Sequence, residues 1–365
     1  MLAYWGRYGA LPQFTLELAD ACQRVGQIER TAISISTTNE LFESYRRFGE
    51  AIFPLKTYRS AAGILNVAEF IKTRRAFGER LIADGTQGFV SLMSHVWSPL
   101  LMPILSKQGI RHTVVVHDAD PHRGDRTAWV NRWILREAAA ADHVVTLTHA
   151  VAERLIASRR IPEDKITVLF HPDLNYSPQC IPQNRSAPLR VLFFGRILPY
   201  KGLDIFVDAI EALREASVEV RVSVFGRGNL GAERQRLEAL GAEVSNVWLG
   251  PKEISEILSK HDVVVASHVK ASQSGVIAAA HGAGLPVIAT PVGGLTEQIV
   301  PEITGLLAAS VTGAALATAI KRVADDRSLL QRMSRNILAS RADRSMDRFL
   351  NDLTEIALGS GKRRS

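Results

Sequence analysis

The alternation of short apolar segments with longer amphipathic ones is the feature that most constrains the fold of this 365-residue chain. The longer segments place apolar residues three or four positions apart, as helices do. Repeated in this order, such segments predict parallel β-sheets built from βαβ units, an α/β fold class. We expect strands at Leu2–Trp5, Thr31–Ser36, Phe89–Met93, Thr113–His117, His143–Thr148, Arg190–Gly195, Glu219–Phe225, Asn246–Leu249, Asp262–Ala266 and Pro286–Thr290.

The alternation is interrupted at residues 171–188, where four prolines occur and the apolar periodicity is lost. Such a segment is typical of an interdomain linker. At about 100–200 residues per domain, the chain length agrees with two domains. We therefore expect a first domain over residues 1–175, a second over 189–340, and a last stretch over 341–365 with a helix and a basic tail.

Composition excludes several classes of protein. The chain is 46% hydrophobic and 22% charged, which argues against a disordered, collagenous or coiled-coil protein. Two cysteines, Cys22 and Cys180, allow neither a disulfide framework nor a cysteine-rich zinc site. The sequence shows no apolar run long enough for a membrane span and no signal peptide at its start, so we expect a cytoplasmic protein.

The net charge of +7 favours an anionic partner. Basic clusters, such as the one at residues 72–75, are compatible with peripheral attachment to the inner face of the plasma membrane, or are simply solvated helix faces. Aromatic residues are not interleaved with the basic ones, so we expect no nucleic-acid partner.

Glycines and cations follow several expected strands, where ligands bind in open α/β sheets. Gly6 and Gly9 follow the first strand and precede a helix, so they either bring the backbone close to an anion or form a tight turn. Arg196 and Lys201 follow the strand at 190–195. Two cations beside one strand end suit a diphosphate, and the alternative is a pair of solvated surface cations.

Three more loops in the second half have a similar character. A glycine pair lies in VFGRGN after the next strand, a polar turn precedes a helix of small residues, and a double glycine follows the strand at 286–290. The free amides of the helix would face an anion. The candidate residues in these loops are Gly226, Lys270, Ser272, Gln273, Ser274, Gly275, Gly293, Gly294 and Glu297.

Taken together, the motifs FFGR…KG, VFGRG, VWLG and GLPVIATPVGGLTE resemble the nucleotide-sugar domain of GT-B glycosyltransferases, most closely retaining family 4 (glycosyl transferases group 1). The first half resembles the acceptor domain more loosely, through YWGRYGALPQFTLELA and VVVHDADPHRG. The resemblance implies two Rossmann-like domains facing each other across a cleft. It also implies that the last helix crosses back to the first domain.

The resemblance assigns roles to individual residues. It implies that Arg196 and Lys201 bind the donor diphosphate, that Gly6 and Gly9 lie near the phosphates and the transferred sugar, and that His117 lies beside the reacting sugar. Gly293, Gly294 and Glu297 match the family's loop and helix start after the donor strand. The candidates for binding the donor sugar and nucleoside are Gly226, Lys270, Ser272, Gln273, Ser274 and Gly275.

Asp118 and His122 are further candidates beside His117, needed as proton acceptors if the reaction inverts configuration. Each of the three has a structural alternative: His117 bonded to backbone, Asp118 capping a turn, and His122 solvated. Asp118 and Asp120 have metal-like spacing but follow the wrong strand for a donor-bound ion. We expect no metal and no cofactor besides the nucleotide sugar as co-substrate.

One departure from the family is prominent. The family has two glutamates at the start of the small-residue helix, and alignment on Gly284-Leu285-Pro286 places Ala271 and Ala279 at their positions. Neutral hydroxyls and an amide, at residues 272–274, are what the sequence offers to the donor instead.

The resemblance implies transfer of a sugar from a nucleotide-diphosphate sugar to a glycan or lipid-linked acceptor in bacterial polysaccharide biosynthesis, retaining and independent of metal. Two alternatives stay open: a sugar-nucleotide epimerase on the same fold, and a non-catalytic subunit of a glycan-assembly complex. The absent glutamates argue against the epimerase and motivate the subunit.

Overall fold

A computed structural model describes residues 1–58, 66–119, 128–176 and 188–359, without the side chains of residues 128–132. It divides the chain into two compact units. The first unit comprises Met1–Phe170 and the last helix of the chain, and the second comprises His171–Ser345. No helix among the described residues is long and apolar enough to cross a membrane.

The first unit contains a seven-stranded parallel sheet in the order β3-β2-β1-β4-β5-β6-β7. Its strands are β1 (Leu2–Tyr4), β2 (Ile33–Ser36), β3 (Ile52–Leu55), β4 (Gly88–Ser91), β5 (Arg111–Val116), β6 (His143–Thr146) and β7 (Ile166–Val168). Its connecting helices are α1 (Ala10–Arg24), α2 (Phe42–Tyr45), α3 (Val67–Ala83), α4 (Ser98–Lys107), α5 (Ala128–Ala140) and α6 (His149–Ala157).

The second unit contains a six-stranded parallel sheet in the order β10-β9-β8-β11-β12-β13. Its strands are β8 (Leu189–Phe194), β9 (Val220–Phe225), β10 (Glu243–Ser245), β11 (Val263–Ala266), β12 (Val287–Ala289) and β13 (Gly305–Leu307). Its helices are α7 (Leu203–Glu215), α8 (Glu233–Ala239), α9 (Pro251–Lys260), α10 (Gly275–Gly282), α11 (Leu295–Gln298), α12 (Gly313–Asp325) and α13 (Arg327–Ala339). Helix α14 (Met346–Leu358) then ends the described chain.

Short 3₁₀ turns complete the described elements. They lie at Ile28–Arg30, Arg46–Ala51, Glu163–Lys165, Pro199–Lys201 and Arg341–Arg344.

Apolar residues on both faces of the central strands explain the layered architecture. In β11 every residue is buried, which is typical of a parallel strand covered by helices on both sides. On one side of the second sheet, α7 and α12 pack together through Phe206, Leu213 and Ile320. Each such side chain stabilises the unit by about 1.5–3 kcal/mol when fully buried.

Helix α14 packs on the first unit through an apolar face. The ring of Phe349 lies 5.4 Å from that of Phe14 on α1, and Leu350 and Leu353 are buried beside it. The Nη2 atom of Arg24 lies 2.5 Å from Oδ1 of Asp347. The end of the chain thus completes the first unit.

The structure confirms the α/β class with two parallel sheets and corrects the sequence prediction at the sheet edges. The strand expected at Asn246–Leu249 was wrong, because β10 lies at Glu243–Ser245, where it pairs with β9. The side chain of Asn246 forms hydrogen bonds with the backbone amide and carbonyl of Gly228, and Val247 is 51% exposed. Three strands, β3, β7 and β13, were not predicted, and each lies at an edge of its sheet.

Strand order reverses once in each sheet, next to its first strand. In the first unit β1 lies between β2 and β4, and in the second unit β8 lies between β9 and β11. Loops leave such neighbouring strands in opposite directions and open a crevice at their carboxyl ends, where α/β proteins bind ligands. Topology therefore points to the loops after β1 and β4, and to those after β8 and β11.

Candidate functional site

The loop after β8 carries both cations that the sequence singled out, Arg196 and Lys201. Lys201 ends a 3₁₀ turn, and Gly202, with φ of +65°, is the N-cap residue of α7. A Cβ atom at Gly202 would overlap the carbonyl oxygen of Ser267, so the close approach requires glycine. The hydroxyl of Ser267 donates to the carbonyls of Lys201 and Gly202 at 3.1 and 2.7 Å. The loop after β8 is thereby fixed to the end of β11.

The ammonium of Lys201 is half-buried and faces a histidine. Its Nζ atom lies 2.7 Å from Nε2 of His268, which is 2% exposed. Burial, and to a smaller extent the positive charge of Arg196, lowers the pKa of Lys201 to about 7. Burial, and then the charge of Lys201, hold the pKa of His268 well below its usual value, so its ring is neutral.

His268 was missed by the sequence interpretation. It lies two residues beyond the end of β11, and only the knowledge that β11 neighbours β8 reveals that it meets Lys201. Its Nδ1 atom is buried and has no hydrogen-bond partner among the described residues. Its main-chain carbonyl accepts a hydrogen bond from the hydroxyl of Thr290, at 2.5 Å.

The polar turn before α10 is held by a side chain from α11. The carboxamide of Gln298 accepts from the backbone amide of Ser274 at 2.7 Å and donates to its carbonyl at 3.2 Å. The Ser274 hydroxyl is buried and has no partner among the described residues, and it does not cap the helix. A buried hydroxyl and the free amides of α10 are therefore together at the helix start, where an anion is favoured.

Close backbone contacts hold these loops against one another. A Cβ at Gly226, which has φ of +146°, would overlap the carbonyl oxygen of Gly195. A Cβ at Gly293 would overlap the carbonyl oxygen of Ala271, which also accepts from the amide of Gly294 at 3.2 Å. A Cβ at Gly195 would lie 3.3 Å from Val276 in the first turn of α10. The loops after β8, β9, β11 and β12 therefore form one surface.

The remaining predicted residues of the second unit differ in exposure. Ser272 is buried, Lys270, Gln273 and Gly275 are half-buried, and Glu297 is exposed on α11. Their roles stay predictions.

The two alanines at the positions of the family's glutamates are part of the apolar core. Ala271 and Ala279 are 4% and 2% exposed, and they pack in one cluster with Ile277 and Leu295. A carboxylate at either position would be buried among apolar side chains. At these two positions the chain therefore presents apolar side chains and no charge.

In the first unit, the loop after β1 is held by residues that follow β2. The side chain of Asn39 donates to the carbonyl of Gly6 at 3.2 Å, and Glu40 accepts from the amide of Gly9 at 3.0 Å. A Cβ at Gly6 would overlap the ring of Tyr4. Gly9 has φ of +106° and open space around it, so glycine is favoured there by the backbone conformation and not by lack of space. Asn39 and Glu40 were not predicted, although they lie in a polar run after β2.

His117 follows β5 and is bonded to backbone. Its Nε2 atom lies 2.8 Å from the carbonyl oxygen of Leu92, which follows β4. A carbonyl only accepts, so Nε2 carries a proton, and the ring packs edge-on against Phe14 at 6.2 Å. The loops after β4 and β5 are joined at this point. Asp118 is half-buried beside it, and Asp120 and His122 lie outside the described residues.

Comparisons with known proteins agree with this architecture. The family model described as glycosyl transferases group 1 matches residues 188–326, and the model for Glycosyltransferase Family 4 matches residues 16–172. The chain is 28% identical over 298 residues to the 2-deoxystreptamine glucosyltransferase of Streptomyces kanamyceticus, covering 71% of this chain and 72% of that protein.

Two further similarities were found. A D-inositol 3-phosphate glycosyltransferase of Streptomyces avermitilis is 29% identical over 223 residues, which cover 54% of this chain and 47% of that protein. The structure of Anabaena Alr3699/HepE in complex with UDP and glucose matches with a TM-score of 0.74 and 17% identity over 99% of each chain. This structural similarity shows the fold.

Two parallel-sheet α/β units that match such a structure define a GT-B protein. With glycosyltransferase family models that together match most of both units, the chain is a GT-B glycosyltransferase. The fold and the enzyme class expected from the sequence are thereby confirmed.

Proposed function

We propose that this glycosyltransferase moves a hexosyl group from a uridine-diphosphate sugar to a hydroxyl group of a glycan or lipid-linked acceptor in polysaccharide biosynthesis. The observation that carries the proposal is the pair of cations, Arg196 and Lys201, at the switch point of the second sheet beside the start of α10. A diphosphate is the donor group that this arrangement recognises. UDP and glucose, bound by HepE, support the choice of donor.

In this proposal the second unit stabilises the leaving group. As the bond between the sugar and the diphosphate breaks, negative charge grows on the phosphate oxygens. Arg196 and Lys201 offset that charge, the amides of α10 add a fixed dipole, and the Ser274 hydroxyl donates a hydrogen bond. The reaction then proceeds without a metal ion, because side-chain cations supply the neutralisation.

Retention of configuration is the proposed outcome, supported by the resemblance to retaining family 4. In that route the leaving phosphate accepts the proton of the attacking hydroxyl, so no carboxylate base is needed. The absence of charge at Ala271 and Ala279 is compatible with such a route. The roles of His117 and Asp118, which the resemblance and the sequence suggested, stay predictions.

The names of two relatives favour a second class of acceptor. One acts on 2-deoxystreptamine and the other on D-inositol 3-phosphate, and both acceptors are substituted cyclohexane polyols. A cyclitol hydroxyl is therefore the alternative to a glycan or lipid-linked hydroxyl.

Turnover by the wild-type chain tests the proposed function. UDP-, GDP- and ADP-sugars are each incubated with glycan, lipid-linked and cyclitol acceptors in the presence of EDTA, and products are identified by mass spectrometry. We expect one UDP-sugar to be consumed and its hexosyl group to appear on an acceptor, with the anomeric configuration retained by NMR. Turnover that needs an added divalent cation would contradict the metal-independent mechanism.

We also propose peripheral membrane attachment through α3 of the first unit. Val67 and Ile71 are 66% and 59% exposed on successive turns, and Lys72, Arg74 and Arg75 are exposed near them. Apolar and basic side chains together suit an anionic bilayer surface. Co-sedimentation with phosphatidylglycerol vesicles should be lost at high salt and in the variant Ile71→Glu, and binding that neither change weakens would contradict the proposal.

A further inference from the structure

His268 joins the two loops of the switch point in the second sheet. It follows β11, whereas Lys201 follows β8, and the two strands are neighbours. The Nε2 atom of His268 is the hydrogen-bond partner of the Lys201 ammonium, at 2.7 Å. The hydroxyl of Thr290, after β12, donates to the main-chain carbonyl of His268, so the backbone at His268 is also held from a third strand.

Whether the hydrogen-bond partner of Lys201 is charged or neutral decides how much of the ammonium charge is offset. A carboxylate partner would neutralise the ammonium and compete with an anionic ligand. A neutral imidazole accepts a hydrogen bond through one nitrogen and adds no negative charge. It orients the ammonium without offsetting its charge.

We propose that His268 is a positioning residue for Lys201, holding its ammonium toward the donor diphosphate without neutralising it. This inference rests on the proposed function, which places the diphosphate at Lys201. It gives the buried Nε2 atom of His268 a role, because the ammonium of Lys201 is its hydrogen-bond partner.

The arrangement makes donor binding depend on pH. Among the described residues, the titratable or charged side chains around the ammonium include Arg196 and Tyr200 on the loop after β8, and His268 after β11. The pKa of Lys201 is lowered to about 7, and the negative charge of a bound diphosphate would raise it. Below pH 7 the ammonium is already present. Above pH 7 binding must take up a proton, so affinity falls as pH rises.

The test measures binding of UDP-glucose by calorimetry between pH 6 and 9. UDP-glucose is suitable because its diphosphate diester does not titrate in that range. We expect wild-type affinity to fall above pH 7. The variant His268→Leu removes the hydrogen-bond acceptor of Lys201, so we expect its affinity for UDP-glucose to be about tenfold weaker at pH 6.5. We also expect the decrease in its affinity with rising pH to begin at a lower pH than in the wild type.

Two further variants separate positioning from packing. His268→Gln supplies a neutral acceptor and should bind within a few-fold of wild type. His268→Glu supplies a negatively charged acceptor, so this variant should bind UDP-glucose about tenfold more weakly at pH 6.5. The decrease in its affinity with rising pH should begin at a higher pH than in the wild type. Equal affinities and pH profiles for the Gln and Glu variants would overturn the proposal, even if the Leu variant does not fold.

The design distinguishes failure of this inference from failure of the proposed function. If the wild type binds none of UDP-glucose, GDP-glucose and ADP-glucose, or if Lys201→Met binds as tightly as the wild type, the proposed donor site itself is wrong. If Lys201→Met binds weakly and all His268 variants match the wild type in affinity and pH profile, only the role of His268 is wrong.

Discussion

Replacing Lys201 with methionine should reduce sugar transfer by about 100- to 1,000-fold, the usual effect of removing one donor that stabilises charge in a transition state. Methionine has a similar length and fills the same half-buried space beside His268. The change therefore removes charge rather than packing. Steady-state rates with a UDP-sugar give the effect, and circular dichroism and thermal unfolding establish that the variant is folded.

Two companion variants make that result specific. Lys260→Met removes an exposed cation at the end of α9 in the same unit, and it should leave turnover unchanged. Arg196→Met should reduce turnover as well, because Arg196 is the second cation of the same loop. If Lys201→Met and Arg196→Met both turned over at the wild-type rate, the donor diphosphate would not bind at this loop.

A methyl group at Gly226 should damage the donor surface of the second unit. The Cβ of Gly226→Ala would overlap the carbonyl oxygen of Gly195, and the residue has φ of +146°, which L-residues rarely adopt. The loops after β8 and β9 must then separate, which displaces Arg196. We expect a loss of about 3 kcal/mol in the free energy of unfolding, from overlap and strain together, and a loss of donor binding.

The glycine at position 231 provides a matched control. Gly231 also has a positive φ, of +55°, but a Cβ there meets no atom within 4 Å. Gly231→Ala should therefore cost only about 1 kcal/mol, the penalty of the left-handed conformation itself. Urea unfolding of the two variants gives the comparison. Equal losses would mean that the contact between Gly226 and Gly195 does not constrain these loops.

The sequence predicted the interior of both sheets and failed at their edges, for a physical reason. Interior strands such as β11 are buried on both faces and appear as uninterrupted apolar runs. The edge strands β3, β7 and β10 are mostly half-buried or exposed, and β3 contains Pro54. Their pattern resembles that of loops, so the apolar run at Val247 and Trp248 was mistaken for the strand that precedes it.

In the candidate site, too, the sequence predicted residues that local patterns mark and missed residues that depend on tertiary contacts. Arg196 and Lys201 could be predicted because each belongs to a loop whose own sequence marks a strand end. His268 and Gln298 could not, because their importance depends on partners 67 and 24 residues away along the chain. Those contacts exist only once β8 lies beside β11 and α11 returns to the start of α10. Neither arrangement can be predicted from local sequence patterns.

Donor consumption by the folded wild-type chain, compared with Lys201→Met in the same EDTA-containing buffer, is the measurement that tests the central claim most directly. Each protein is incubated with the UDP-, GDP- and ADP-sugar panel, and nucleoside diphosphate release and sugar transfer are followed by mass spectrometry. The account predicts that the wild type transfers sugar from a UDP-sugar and that Lys201→Met does so at least about 100-fold more slowly. It would be contradicted if the wild type consumed no donor, as a non-catalytic subunit would, or if both proteins consumed it at the same rate.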